Sequence, residues 1–199
     1  MKFKPKDWFL GPGELFGVLV PGAVVLFVIR WIVVSEGIVT SSWPDTILDW
    51  AAFIIASFII GYLAHPPAHI LNKLYDRTYC SWKRRNGDPL LRWAEKEAQG
   101  EAGPDDSIYA WANSEVAANS SKIAARIVLI EGVSKMFRAL TLLLLIAALF
   151  AAVFGRITFV FGFIFAALLS FFVFSERRYA ATKEIYQRLK RIRGDEGAK

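Results

Sequence analysis

The chain has 199 residues, 55% of them apolar and 21% charged, with a net charge of +6. A mean hydropathy of +0.37 beside that much charge excludes an ordinary soluble domain, whose apolar residues would be scattered at helix or strand period around one core. Here they are gathered into four blocks with the charges between them, and the single cysteine, Cys80, leaves no internal disulfide to form.

Residues 1–14 carry Lys2, Lys4 and Lys6 ahead of the first block, Leu15–Val34, which is 20 residues long. A helix rises about 1.5 Å per residue, so a run of that length crosses a hydrocarbon layer about 30 Å thick. No small-x-small pattern follows at Ser35–Thr40, so the run reads as an uncleaved signal-anchor helix. Pro21-Gly22 inside it predicts a kink or a re-entrant segment. The second block, Thr46–Ala64, carries Ser57 and Gly61 as a small-residue stripe and completes a transmembrane hairpin over 15–64. The intervening loop bears Glu36 and Asp45 with no Lys or Arg, and Trp31, Trp43 and Trp50 suit the outer interface. Two charges fall inside these runs, Arg30 and Asp49. Near helix ends they read as interfacial anchors, with an Arg30–Asp49 or Arg30–Glu36 pair; the sharper reading lines an ion pathway.

Residues 65–138 predict a helical insertion of 74 residues with no strand signal, near the lower limit for independent folding. Pro66-Pro67 ends the second span and opens an amphipathic helix through Ile70, Leu71, Leu74 and Tyr75, which Asn86-Gly87 breaks. Asp88 caps a short helix begun by Pro89, Gln99–Gly103 reads as a linker, and Pro104-Asp105-Asp106 starts the next helix. His65 and His69 stand four apart, a spacing that can hold a metal with Asp76 and Cys80, but the two prolines between them speak against a regular turn. No metal is assigned. His65 and His69, with Trp93, Tyr109 and Trp111, remain candidate ligand or partner contacts, the aromatic residues being equally suited to packing. There is no phosphate-binding glycine loop, nucleophile elbow or paired intramembrane aspartate, so no enzyme activity and no cofactor are expected.

From about Ser121 the chain reads as one helix, with Ile123, Ile127, Ile130, Val133 and Phe137 on a stripe that leads into the third block. That block, Ala139–Phe154, and the fourth, Ile157–Phe174, form a second hairpin over 139–174, joined by Gly155-Arg156 alone. Lipid offers no hydrophobic drive for pairing, so small residues must let the backbones approach. Ala147, Ala151 and Gly155 on one side and Gly162, Ala166 and Ser170 on the other predict a tight hairpin, against a looser, proline-kinked first one. The segment 175–199 forms a basic amphipathic tail with Ala181, Ile185, Leu189 and Ile192 on its apolar face. Its Arg177, Arg178, Lys183, Arg188, Lys190, Arg191 and Arg193 are candidate contacts to anionic lipid, with nucleic acid disfavoured because the membrane already accounts for the charge.

The N-terminus, the insertion and the tail hold three, eleven and eight Lys or Arg, whereas the turn between the last spans has Arg156 alone. Positive charge stays inside, so both termini and the insertion are expected in the cytoplasm of a multi-pass protein. The fold class expected is all-α: four transmembrane helices with a helical cytoplasmic insertion between spans two and three.

The segments "PGELFGVLVPGAVVLF", "HILNKLYDRTY", "SKMFRAL" and "ERRYAATKEIYQRL" resemble those of small, mostly uncharacterised bacterial four-span inner-membrane proteins found with anti-phage defence systems. The resemblance covers the layout of the whole chain and carries over no catalytic residue. It implies a membrane effector or tethered sensor working with a soluble partner. The expected function is therefore a non-enzymatic, oligomeric effector or sensor-scaffold whose helical insertion binds a signal or partner. The alternative is a small transporter or channel subunit, or a lipid-acting membrane enzyme.

Overall fold

A computed structural model describes residues 12–35, 37, 46–101, 108–119 and 121–196, without the side chains of 12–14, 99–101, 121–124, 195 and 196. Lys2, Lys4, Lys6, Glu36, Trp43, Asp45 and the helix start expected at Pro104-Asp105-Asp106 lie outside the described residues. Those described fold into α1 (Pro12–Ser35), α2 (Ile47–Ala68), α3 (Ile70–Tyr75), a π-helical turn (Asp76–Cys80), α4 (Ser81–Arg85), α5 (Pro89–Glu101), α6 (Ile108–Asn119), α7 (Ser121–Val153) and α8 (Ile157–Glu196). No strand occurs among them.

Four helices are long and apolar enough to cross a membrane: α1, α2, α7 and α8, with mean hydropathies between 2.0 and 2.6 over their most apolar windows. In α2 and α8 only 17% of that window is buried within the protein. Ile47, Leu48, Phe161, Phe165 and Leu168 turn outward, a surface that suits hydrocarbon and not water. The protein is thus all-α with four membrane-spanning helices. The backbone contacts divide it into two compact units, Met1–Leu71 with Gly132–Phe174, and Asn72–Glu131 with Ser175–Lys199. We call the first the span unit and the second the helical unit. Both α7 and α8 contribute to each.

In the span unit, α1 is one helix through Pro21, with no re-entrant break. Its closest approach is to α2. A Cβ on Gly22 would lie 1.8 Å from the Ser57 carbonyl oxygen, and one on Gly61 would lie 1.9 Å from that of Val18. Ser57 folds its hydroxyl back onto the Phe53 carbonyl at 2.7 Å, so nothing polar disturbs the contact. The hairpin expected to be loose is therefore pinned backbone to backbone. A core of Val25, Ala64, Ala139 and Leu143, with Ile29, Ile60 and Leu142, joins α7 to this pair.

The second hairpin turns through a different device. Gly155, at φ +66°, closes α7, its N–H reaching the Ala152 carbonyl at 3.0 Å while the Arg156 N–H reaches that of Ala151 at 2.9 Å. The role of Gly155 is thus conformational, at the turn, and not in a packing stripe. Ala147 and Ala151 are fully buried and Ser170 nearly so, Ala166 is half-buried, and Gly162 faces open space. Ser170 of α8 donates to the Phe137 carbonyl of α7 at 3.0 Å, an oxygen that also accepts from Thr141 at 2.8 Å.

Two sequence expectations about helix ends give way. α2 runs through Pro66 and Pro67 to Ala68, giving up the two backbone bonds that the prolines cannot donate, and the His69 N–H closes it on the Pro66 and Pro67 carbonyls. α5 continues through Gln99 to Glu101 where a linker was expected, since it buries Leu91, Ala94 and Ala98 at helical spacing.

Candidate functional site: a basic cleft in the helical unit

The helical unit is held by a core of Leu91, Ala94 and Ala98 from α5, Trp111, Ala112 and Val116 from α6, Ile127 from α7, and Ile185, Tyr186 and Leu189 from α8. The apolar face of the basic tail is therefore packed against protein, with Ala181 and Ile185 at 0% exposure. Several of its cations are also committed. Arg178 lies 4.1 Å over the Tyr109 ring and 3.9 Å from Glu131. Arg193 lies 5.2 Å over the Trp111 ring and 2.8 Å from Glu97, and Arg188 pairs with Glu184 at 3.2 Å. Arg177, Lys183, Lys190 and Arg191 face outward.

Tyrosine hydroxyls tie segments far apart in the chain. Tyr79 donates to Glu176, Tyr109 to Glu131 and Tyr179 to Asp88. Burial, then the bond to Glu176, pushes the Tyr79 pKa above the usual phenol range. Burial does the same for Tyr109, reinforced by Glu131 and opposed by Arg178. Both remain donors at neutral pH.

The turn after α4 builds one wall of a cleft. Gly87, at φ +83°, lets its N–H reach the Arg84 carbonyl at 3.1 Å, ending α4 as Gly155 ends α7. Asp88 follows and caps α5, accepting from the Leu90 N–H at 2.9 Å. Partial burial works to raise the Asp88 pKa. The Tyr179 hydroxyl and the Leu90 and Leu91 N–H groups outweigh it and hold the carboxyl below the usual carboxylate range. On α4, the Lys83 ammonium sits 5.4, 5.0 and 5.1 Å from the ring centres of Tyr79, Trp82 and Tyr179. Lys183, Gln187, Lys190 and Arg191, spaced at i, i+4, i+7 and i+8, form the opposite wall on α8. The cleft is open to solvent, measures about 840 Å³ and presents four cations against the single carboxylate of Asp88.

Beside the cleft, burial raises the pKa of the half-buried Cys80 thiol, so it stays protonated near neutral pH. Burial also raises that of Asp76, against the pull of Arg178 and Arg84.

The remaining candidate residues are placed as follows. Trp111 is core and Tyr109 lies against it; Trp93 is half-buried with Lys190 6.0 Å over its ring. Asp49 forms a reciprocal capping box with Thr46, whose hydroxyl lies 2.8 Å from the Asp49 carboxylate and accepts the Asp49 N–H at 3.2 Å. Arg30 is half-buried on α1, beside Trp31, which meets Phe159 of α8 edge-on at 4.7 Å. His65 belongs to the span unit and hydrogen-bonds the Gly17 backbone, in the electrostatic reach of Arg138, Lys135 and His69. Among the described residues no three His, Cys, Asp or Glu side chains are grouped to hold a metal. Reasoning from sequence missed Lys83, Tyr79, Tyr179 and Asp88 as a cluster, and missed that Arg138 is buried. The Asn86-Gly87-Asp88-Pro89 turn was the one local signal for the cleft. Compared with known protein families, curated proteins and solved structures, enzymes included, the chain matches none.

Proposed function

We propose that this is a non-enzymatic, oligomeric protein of the bacterial inner membrane, with both termini and the helical unit in the cytoplasm. The helical unit recognises a signal or soluble partner, and the four spans anchor it and act on the membrane as effector or scaffold. The observation that carries the reading is that α7 and α8 each supply residues to both units, so binding to one is covalently continuous with the other. The distribution of Lys and Arg supports the orientation. Arg177, Lys183, Lys190 and Arg191, exposed on the tail, then lie where anionic lipid can reach them, although the apolar face of that helix is occupied by protein. A transporter or lipid-acting enzyme would draw on polar groups within the spans. The hydroxyls of Ser57, Thr141 and Ser170 instead donate to backbone carbonyls. The resemblance of the layout to that of membrane proteins found with anti-phage systems extends the proposal to defence, which efficiency of plaquing with and without the gene tests.

The direct test is topology and mass. In a Cys80→Ser background, a cysteine at the exposed Lys96 is expected to react with an impermeant maleimide only after the cells are permeabilised. The detergent-solubilised protein is expected to run as a multimer by light scattering. Labelling of intact cells, or a monomer, overturns the reading.

A further inference from the structure

The geometry points to the cleft between the α4–α5 turn and α8 as a binding site for a phosphate-bearing anion. This deepens the proposed function, resting on the reading that the helical unit is the recognising part. The decisive observation is that four cations outside the neighbouring ion pairs are gathered in one cleft. Arg84, Arg178, Arg188 and Arg193 each pair with a glutamate: Glu95, Glu131, Glu184 and Glu97. Lys83, Lys183, Lys190 and Arg191 pair with no carboxylate among the described residues, and all four line this one cleft. The single carboxylate there, Asp88, accepts from the Tyr179 hydroxyl and the Leu90 N–H and attracts Lys183 without forming an ion pair, so the cleft keeps an excess of positive charge.

The site is also prearranged. Three aromatic rings fix the Lys83 ammonium, which lowers the entropy lost when it closes on an anion. The α8 cations stand on one face of a helix whose other face is locked in the core. Lysines act as point-charge phosphate binders, and Arg191 adds a planar fork suited to two phosphoryl oxygens. A volume of about 840 Å³ admits a nucleotide-sized or headgroup-sized ligand. A soluble phosphate compound and a phospholipid headgroup share this chemistry.

The test uses the full chain and separates the two sources. In phospholipid-free detergent, inorganic pyrophosphate is titrated and the thermal midpoint followed. In nanodiscs of phosphatidylcholine with phosphatidylglycerol, native mass spectrometry counts the phosphatidylglycerol retained after ejection. Each is repeated with Lys183→Gln/Lys190→Gln/Arg191→Gln, and with a control of equal charge loss outside the cleft, Lys73→Gln/Arg77→Gln/Lys96→Gln. A saturable pyrophosphate response, about tenfold weaker in the cleft variant and unchanged in the control, supports the site with a soluble ligand. Retained phosphatidylglycerol lost only in the cleft variant supports it with a lipid one. No binding in either arm, or equal loss in both variants, overturns it. If the triple variant is not monodisperse, Lys183→Gln alone carries the same comparison at smaller amplitude. Loss of binding by an inward-facing multimer sinks the site alone. Binding by a monomer, or by a protein labelled from outside, sinks the sensor reading and leaves the site.

Discussion

His65 of α2 hydrogen-bonds the backbone of Gly17 on α1, four residues before Pro21. A helical proline has no N–H for the carbonyl four residues earlier, so Pro21 leaves the Gly17 oxygen without its regular donor. The imidazole supplies one from the neighbouring helix. A residue that reads as a metal-ligand candidate thus completes the backbone of a proline-containing span.

That relationship predicts non-additivity. His65→Ala leaves a backbone carbonyl unsatisfied and is expected to cost about 1–3 kcal/mol. In a Pro21→Ala background the backbone N–H gained at that position takes over the Gly17 carbonyl, so the same His65→Ala change costs less. A double-mutant cycle on thermal midpoints in detergent measures the difference. Equal costs in both backgrounds would remove the link between His65 and Pro21.

The α1–α2 contact makes two glycines intolerant of a single methyl group. Gly22→Ala places a Cβ 1.8 Å from the Ser57 carbonyl oxygen and Gly61→Ala places one 1.9 Å from that of Val18. Backbone atoms cannot swing aside as side chains do, so each is expected to cost about 3 kcal/mol or more. Gly162→Ala meets nothing within 4 Å and is expected to be neutral or slightly stabilising. Monodispersity and thermal midpoints of the three variants check the ranking.

Asp88 predicts a pH dependence. Its folded pKa is depressed, so its carboxylate contributes stability that is fully present above the unfolded value, near 4, and is lost as pH falls through the folded one. Wild type is therefore expected to exceed Asp88→Asn in thermal midpoint at pH 7. The gap narrows below about pH 4 as the wild-type carboxylate is protonated. A gap independent of pH would assign Asp88 to shape rather than charge.

The stacked arginine on the tail predicts a coupling. Arg178 sits 4.1 Å over the Tyr109 ring, so Arg178→Gln and Tyr109→Leu should be coupled by about 1 kcal/mol. Tyr109→Phe keeps the ring and gives up the bond to Glu131, so it should retain most of that coupling with Arg178. Chemical denaturation monitored by tryptophan fluorescence reads both cycles.

The spans were legible because each is a block of apolar residues with few charges, a signal that survives ignorance of every tertiary contact. The ends of α4 and α7 were legible at Gly87 and Gly155, where a left-handed φ admits little else. Thr46-x-x-Asp49 could have been read as a capping box, which would have removed Asp49 from the membrane-charge candidates. Partner choice was not legible. Small residues recur on all four spans, and a period of four says which face is small without saying what meets it. The expectation therefore fell on Ala147 and Gly162, while the tightest approach at any described glycine is that of Gly22 to Ser57. The cleft was hidden for a related reason. Lys83 and Tyr179 come from helices far apart in the chain, and their meeting depends on α8 packing into the helical core.

The composition of that core has a consequence for biosynthesis. Ile185, Tyr186 and Leu189 are translated after the last apolar block, yet α5 and α6 have no complete core without them. On the ribosome, then, every span is made and available for insertion before the helical unit can close. Until that moment Leu91, Trp111 and Val116 lack their α8 partners, which makes the nascent insertion the natural client of a chaperone at the membrane.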